Sequence, residues 1–230
     1  MPSALLEQAS SFAGQIDLVI DLIFVLVGFW FIVTEGIFLW LIFKYRARDG
    51  VRAEYITGDE EHPKKLITWA HMAVLVCDVV ILVFAVQTWY TVKQDLPPAE
   101  KTIRVIGQQW AWTFEHPGPD GKLGTDDDIR LVDELHLAVD TLYHFELESK
   151  DVLHSFSIPD FRLKQDAIPG RIITGWFEPT KVGDYDFQCA EICGIGHGLM
   201  AAKVFVRGAD EHMAWARQQA APRLAALSLR

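Results

Sequence analysis

Apolar positions fall into two regimes along the chain. Residues 22–43 (LIFVLVGFWFIVTEGIFLWLIF) and 66–90 (LITWAHMAVLVCDVVILVFAVQTWY) are almost continuously apolar. Each is long enough for a membrane-spanning helix, which takes about 20 residues, and each carries Trp or Tyr near its ends, where side chains with one apolar and one polar end settle at a membrane–water boundary. After residue 92 the pattern changes. Asp95, Pro97 and Pro98 read as a linker. Beyond it, apolar and polar residues alternate over short runs at 102–106, 111–115, 133–138, 143–149, 156–158, 172–177, 183–188 and 201–206, with Gly or Pro between several of them. A period of two marks strands, and many short strands without a long amphipathic helix predict a β-sandwich or barrel. Residues 209–227 read as a surface helix that Pro222 interrupts. The expected division is a two-helix anchor over 1–95, a β domain over 96–207 and a helical tail over 208–230.

Basic residues orient the anchor. Lys44, Arg46, Arg48, Arg52, Lys64 and Lys65 lie between the two spans, and no Lys or Arg precedes the first. By the positive-inside rule the linker is cytoplasmic, which puts the N-terminus and everything after residue 90 on the outer face. The first ten residues hold no basic residue, so no cleavable signal is expected and Met1 reads as the start of the mature chain.

Composition agrees with an anchored domain. Mean hydropathy is +0.15 although 23% of residues are charged, so apolar residues must be concentrated locally. The net charge of −10 argues against a nucleic-acid partner, which needs clustered cations for the phosphates. Between residues 96 and 207 there are 18 Asp and Glu against 11 Lys and Arg, a balance that suits a basic protein partner but also simple solubility.

The chemistry is concentrated in Cys189-Ala-Glu-Ile-Cys193-Gly-Ile-Gly-His197-Gly-Leu-Met200. Taken alone, Cys189 and Cys193 fit a metal site, a redox pair or one local disulfide; the third cysteine, Cys77, lies in an apolar run and reads as a small core residue. Thiolate and thioether sulfur together with imidazole favour copper over hard cations. One cysteine suffices for a mononuclear blue-copper site, whereas two can bridge a pair of copper ions. Such a pair needs a second imidazole from elsewhere, and His154 in DVLHSFSIPDF is the best candidate. The other histidines, His62, His71, His116, His136, His144 and His212, have no motif around them and read as structural or surface residues.

In this order, two apolar helices, GQQWAWTF, DVLHSFSIPDFRLKQDAIPGR and CAEICGIGHGLM resemble subunit II of the haem–copper cytochrome c oxidases over residues 15–207. The resemblance implies a membrane α-helical hairpin carrying an all-β, cupredoxin-like Greek-key sandwich with a dinuclear copper (CuA) centre. Cys189 and Cys193 would bridge the coppers. His154 and Met200 would complete one, and His197 with the Glu191 backbone carbonyl the other. The Glu191 side chain would reach a magnesium ion at the junction with subunit I. Trp110 would receive the electron from cytochrome c, with Trp112 as its neighbour on the path. Subunits I and III, membrane lipid and cytochrome c are the implied partners, and the implied location is a bacterial inner membrane or the mitochondrial one. No Cys-x-x-Cys-His is present for a fused haem.

Three features stand apart. Pro117–Arg130 is a Gly- and Asp-rich loop; Asp120 to Asp128 could hold calcium, but the spacing is not that of an EF-hand and a solvated hairpin turn is the favoured reading. Glu35 and Asp78 lie within the spans, where ionisable groups are costly and face a partner or water. The family's Leu-Glu-x-x-Trp motif for proton uptake is replaced by Lys65-Leu66-Ile67-Thr68-Trp69, with Glu60 and Glu61 nearby but out of register. The alternative function is a copper chaperone or thiol-redox assembly factor, which would place an amphipathic helix after the cysteines instead of Gly194, Gly196 and Gly198.

Overall fold

The computed structural model describes residues 2–52, 55, 57–118 and 120–227; the side chains of residues 2, 62, 63 and 221–227 lie outside that description, His62 among them. The chain forms two compact units, Met1–Leu5 with Asp17–Tyr90, and Leu6–Ile16 with Thr91–Arg230.

The first unit is built on α1 (Ala13–Lys44) and α2 (Glu61–Trp89), which runs on into a π-helical turn at Tyr90–Gln94. Both are long and apolar enough to cross a membrane, and their apolar windows are almost wholly exposed. Exposed apolar surface of this extent is untenable in water. The helices meet where the Trp30 indole Nε1 donates to Cys77 Sγ at 3.4 Å. Glu35 and Asp78 are both exposed, and Asp78 lines a groove between the helices with Trp30, Val33, Thr34 and Ile37.

The second unit is a sandwich of two five-stranded sheets. The strands are β1 (Lys101–Gln108), β2 (Ala111–His116), β3 (Ile129–Val132), β4 (Glu134–Ala138), β5 (Tyr143–Ser149), β6 (His154–Ile158), β7 (Leu163–Ala167), β8 (Ile173–Phe177), β9 (Gly183–Cys189) and β10 (Ala201–Arg207). One sheet is ordered β3-β2-β1-β5-β8 and the other β4-β10-β9-β6-β7. The pairs β1–β5 and β4–β10 are parallel and the rest antiparallel. Alternation sets the core. Tyr143, Phe145 and Leu147 of β5 point inward while His144, Glu146 and Glu148 are half-buried, and Tyr185, Phe187 and Cys189 repeat the pattern on β9. Aromatic rings from facing sheets interlock: Trp112 lies edge-on to Phe187 at 4.9 Å and Phe145 to Phe156 at 5.1 Å.

Two strands, β3 and β7, were not expected. The Asp-rich loop ends at Asp128, because Ile129 and Arg130 already pair with His116 and Glu115. β7 (LKQDA) lacks the apolar alternation of a strand and buries only its two end residues. Within the loop, the Asp127 carboxylate accepts from the Asp120 N–H and the Thr125 hydroxyl, and Asp128 accepts from the Gly124 N–H. The loop thus spends carboxylate oxygens on its own donors. The C-terminal helix α3 (Ala209–Leu227) continues through Pro222 rather than breaking there; proline removes a single backbone hydrogen bond, and a helix near its end can bear that.

Residues Leu6–Ile16 belong to the sandwich. Ala9 and Phe12 are buried in its core. The Ala9 N–H donates to the Asp160 carbonyl, the Thr180 N–H to the Ala9 carbonyl and the Ser10 hydroxyl to the Phe161 carbonyl. Phe12 meets Trp176 edge-on at 5.3 Å.

Candidate metal centre

β9 and β10 are neighbours with Ala201 opposite Gln188, and the Cys189 N–H donates to the Met200 carbonyl at 3.0 Å. This pairing closes the loop of residues 190–199 at its base. Cys189, the last inward-facing residue of β9, and Met200, just before β10, therefore stand side by side. β6 pairs with the end of β9, Phe156 opposite Cys189, and so brings His154 to the same place.

The donors converge. Cys189 Sγ lies 3.8 Å from Cys193 Sγ, 3.9 Å from His154 Nδ1 and 3.3 Å from the Glu191 carbonyl oxygen. Cys193 Sγ lies 3.7 Å from His197 Nδ1 and 3.7 Å from Met200 Sδ. Both cysteines are free and, like His154 and Met200, buried; Glu191 and His197 are half-buried. Among the described residues, His154, Cys189 and Cys193 form the one group of three or more His, Cys or acidic side chains arranged to hold a metal.

The set fits copper. The sulfur separation is far beyond a disulfide bond of about 2.05 Å. With metal–sulfur bonds of about 2.3 Å, two sulfurs bound to one ion can stand no further apart than about 4.6 Å, so both thiols can share the same ions. Burial pushes the Cys193 thiol up to about 11, and neighbouring Cys189 adds to the effect. Cations between the two sulfurs would offset that cost and hold both as thiolates. Mixed sulfur, imidazole and carbonyl donors, with both cysteines and Met200 buried, define the soft site that copper prefers.

A layer behind the donors fixes them. His154 Nε2 meets Asp151 Oδ1 at 2.8 Å, and Asp151 Oδ2 accepts the Gln109 N–H at 2.7 Å. Partial burial opposes the Asp151 carboxylate, but the Gln109 N–H, His154 and the Val152 N–H outweigh it and hold its pKa below the usual range. The Gln109 side-chain amide and the Trp110 indole both donate to the Cys193 carbonyl, at 2.8 and 3.2 Å. Neither Asp151 nor Gln109 belongs to the donor motif in the sequence; the Asp-x-x-His spacing in DVLHS is the only local signal for the first. Trp110, at the turn between β1 and β2, is 40% exposed, whereas Trp112 is fully buried beside His154 at 5.8 Å. Gly196 is required here: a Cβ on it would stand 2.4 Å from Trp110 Cδ2.

A sandwich of two sheets with a copper-type donor set at one end, joined to a hairpin of apolar helices, is the architecture of a membrane-anchored cupredoxin-like domain. Residues 101–206 match the family described as cytochrome c oxidase subunit II, periplasmic domain. The alternative cytochrome c oxidase subunit 2 of Bradyrhizobium diazoefficiens is 32% identical over 229 residues, covering 90% of this chain and 80% of that one. The cytochrome c oxidase subunit 2 of Thermostichus vulcanus is 42% identical over 119 residues, which span 52% of this chain and a third (33%) of its relative. The crystal structure of the periplasmic domain of subunit II of cytochrome oxidase of Bradyrhizobium japonicum aligns with a TM-score of 0.49 at 27% identity, covering 54% of this chain and 96% of that one. The chain belongs to the cytochrome c oxidase subunit II family. The copper chaperone or thiol-redox alternative is not favoured: a 3₁₀ turn at His197–Leu199 and strand β10, rather than a helix, directly follow the cysteines.

Proposed function

We propose that this chain is the electron-accepting subunit of a haem–copper oxidase, taking electrons one at a time from cytochrome c and passing them to the haem centres of subunit I, where oxygen reduction is coupled to proton translocation. The observation that carries the reading is the meeting of His154, Cys189, the Glu191 carbonyl, Cys193, His197 and Met200 around two sulfurs 3.8 Å apart. Bound there, a CuA pair would supply a reversible one-electron store.

Cys189 and Cys193 would bridge that pair, with His154 and Met200 completing one ion and His197 with the Glu191 carbonyl the other. The strand positions of His154 on β6 and Cys189 on β9, and the closure of the donor loop between β9 and β10, limit movement between charge states. Asp151 fixes the ring of His154. Trp110 offers a half-exposed ring whose N–H already rests on the Cys193 carbonyl, a short bonded route from the surface inward. Ile192, Ile195 and Leu199 are exposed around it and give an incoming protein an apolar contact. Glu35 is exposed on α1 and Asp78 in the groove between the helices, where a carboxyl at membrane depth needs a protein partner or water, so both suit a contact with subunit I. The Glu191 carboxylate, half-buried beside the site, is free to hold magnesium at that junction. The reading places the protein in a two-pass arrangement in the inner membrane with the sandwich on the outer face.

The test is stopped-flow oxidation of reduced cytochrome c by the assembled complex carrying Trp110→Leu. Loss of the fast phase by a factor on the order of a hundred, with copper content unchanged, supports the reading. An unchanged fast phase overturns Trp110 as the point where electrons arrive.

A further inference from the structure

The segment that follows α1 carries a cluster of cations for which the copper chemistry has no use. The apolar span ends at Phe43, and Lys44, Arg46, Arg48 and Arg52 follow with a single acid, Asp49, among them. Every residue from Lys44 to Arg52 is exposed. The cluster therefore begins where the hydrocarbon core of a membrane gives way to its headgroups.

Local structure gathers these charges. α1 ends at Lys44, and the Tyr45 N–H donates back to the Leu41 carbonyl at 2.9 Å. The Lys44 ammonium lies 4.3 Å from the centre of the Trp40 ring and 5.2 Å from that of Tyr45, so both rings hold it at the depth where aromatic residues settle. Residues 46–48 form neither helix nor strand. The Val51 N–H then donates to the Arg48 carbonyl at 3.3 Å, and Gly50, with φ 78°, supplies the left-handed residue of that turn. Arg48 and Arg52 thus flank one reversal of the chain.

The two ends of the interhelical linker treat their cations differently. Before α2, Lys64 pairs with Asp59 at 3.1 Å, and on its first turn Lys65 pairs with Glu61 at 3.0 Å. After α1, Lys44, Arg46, Arg48 and Arg52 form no ion pair among the described residues. The chain supplies carboxylates to the first set and leaves the second to an outside anion. A guanidinium presents its N–H donors as a planar fork that matches phosphate oxygens. Lys and Arg clustered directly beside a spanning helix attract anionic lipid, and a lipid phosphate is already held at this depth.

We propose that residues 44–52 bind the headgroup of an anionic phospholipid in the adjoining leaflet. Lys44, Arg46, Arg48 and Arg52 hold its phosphate, and its acyl chains lie along the exposed Leu39, Trp40 and Phe43 of α1. The site depends on the membrane anchor and not on the copper centre, and its occupancy sets the depth at which α1 rests in the bilayer.

The experiment uses the full chain in detergent micelles doped with equal amounts of phosphatidylglycerol and phosphatidylcholine of the same acyl chains, with the retained lipid counted by native mass spectrometry. Phosphatidylglycerol should be retained in about tenfold excess or more. Arg46→Gln combined with Arg48→Gln should lower that ratio about fivefold or more, since each cation near a charged membrane surface contributes a factor of about five. Both arginines are exposed, so this variant keeps its fold, which far-ultraviolet circular dichroism checks. Lys64→Gln combined with Lys65→Gln, at the paired lysines, should lower the ratio less. Equal retention of the two lipids, an unaltered ratio in the arginine variant, or an equal loss in the lysine variant overturns the proposal. Displacement of the lipid by millimolar inorganic phosphate would make this a site for soluble anions, and loss of the preference in the assembled complex would mean that a protein covers the segment; each contradicts the proposal.

Discussion

Asp151 holds His154 from behind: Oδ1 lies 2.8 Å from Nε2, while Nδ1 of the same ring lies 3.9 Å from Cys189 Sγ. One edge of the imidazole is thus committed to a carboxylate and the other to the sulfur pair. The arrangement fixes which nitrogen is free to ligate and raises its basicity.

Replacing Asp151 with Asn removes the charge but keeps the shape. Copper affinity should fall about 10- to 100-fold, and the midpoint potential should rise because a less basic imidazole stabilises the oxidised centre less. A chelator competition titration and a redox titration check this. Wild-type values in both would show that Asp151 does not support the ring.

The N-terminal segment is part of the sandwich. Phe12→Ala empties a fully buried position against Trp176 and should cost about 3–5 kcal/mol of sandwich stability. A fragment beginning at residue 96, lacking Ala9 and Phe12 altogether, should melt well below the full chain when followed by near-ultraviolet circular dichroism. Coincident melting curves would contradict the packing.

Gly196→Ala pushes a methyl against the Trp110 ring, which must move. Copper spectra should persist while electron uptake from cytochrome c slows, by about tenfold or more, as expected when a reacting group is displaced by an ångström. Stopped-flow traces matching wild type would mean that Trp110 tolerates the shift or is off the route.

Glu60 accepts the Thr57 N–H, the Thr57 hydroxyl and the Gly58 N–H, and the Thr57 backbone bond leads in lowering its pKa to about 2. Its folded-state pKa is depressed from 4.5, so any stability it lends is present above that value and disappears as pH falls toward about 2. At neutral pH it stays ionised and is a poor proton carrier. Glu60→Gln should therefore leave the pH profile of turnover unchanged between about pH 5 and pH 9; a displaced profile would restore it as a proton-uptake residue.

Much of this architecture is legible in the sequence where local pattern and long-range packing agree. The first apolar span lies inside α1 and the second, but for its last residue Tyr90, inside α2, and residues 143–149, with strict alternation, coincide with β5. The copper loop is readable because its donors lie within twelve residues of one another. What escapes is set by contacts distant in sequence. β7 carries Lys, Gln and Asp and becomes a strand only because β6 lies alongside it. The polar run before α1 gives no sign that Ser10 will bridge to Pro179. His116 and His212 look like ordinary surface histidines until α3 closes over the sheet. Asp151 was in view in DVLHS, yet its role needs the ring of His154 to be turned toward Cys189.

The most direct measurement is electron paramagnetic resonance of the full chain loaded with copper, together with its copper content. Two tightly held coppers per chain and a seven-line hyperfine pattern, from one unpaired electron shared equally by two nuclei, are the predicted result. One copper per chain with a four-line pattern would contradict the account, because the paired sulfurs of Cys189 and Cys193 would then not be bridging two ions.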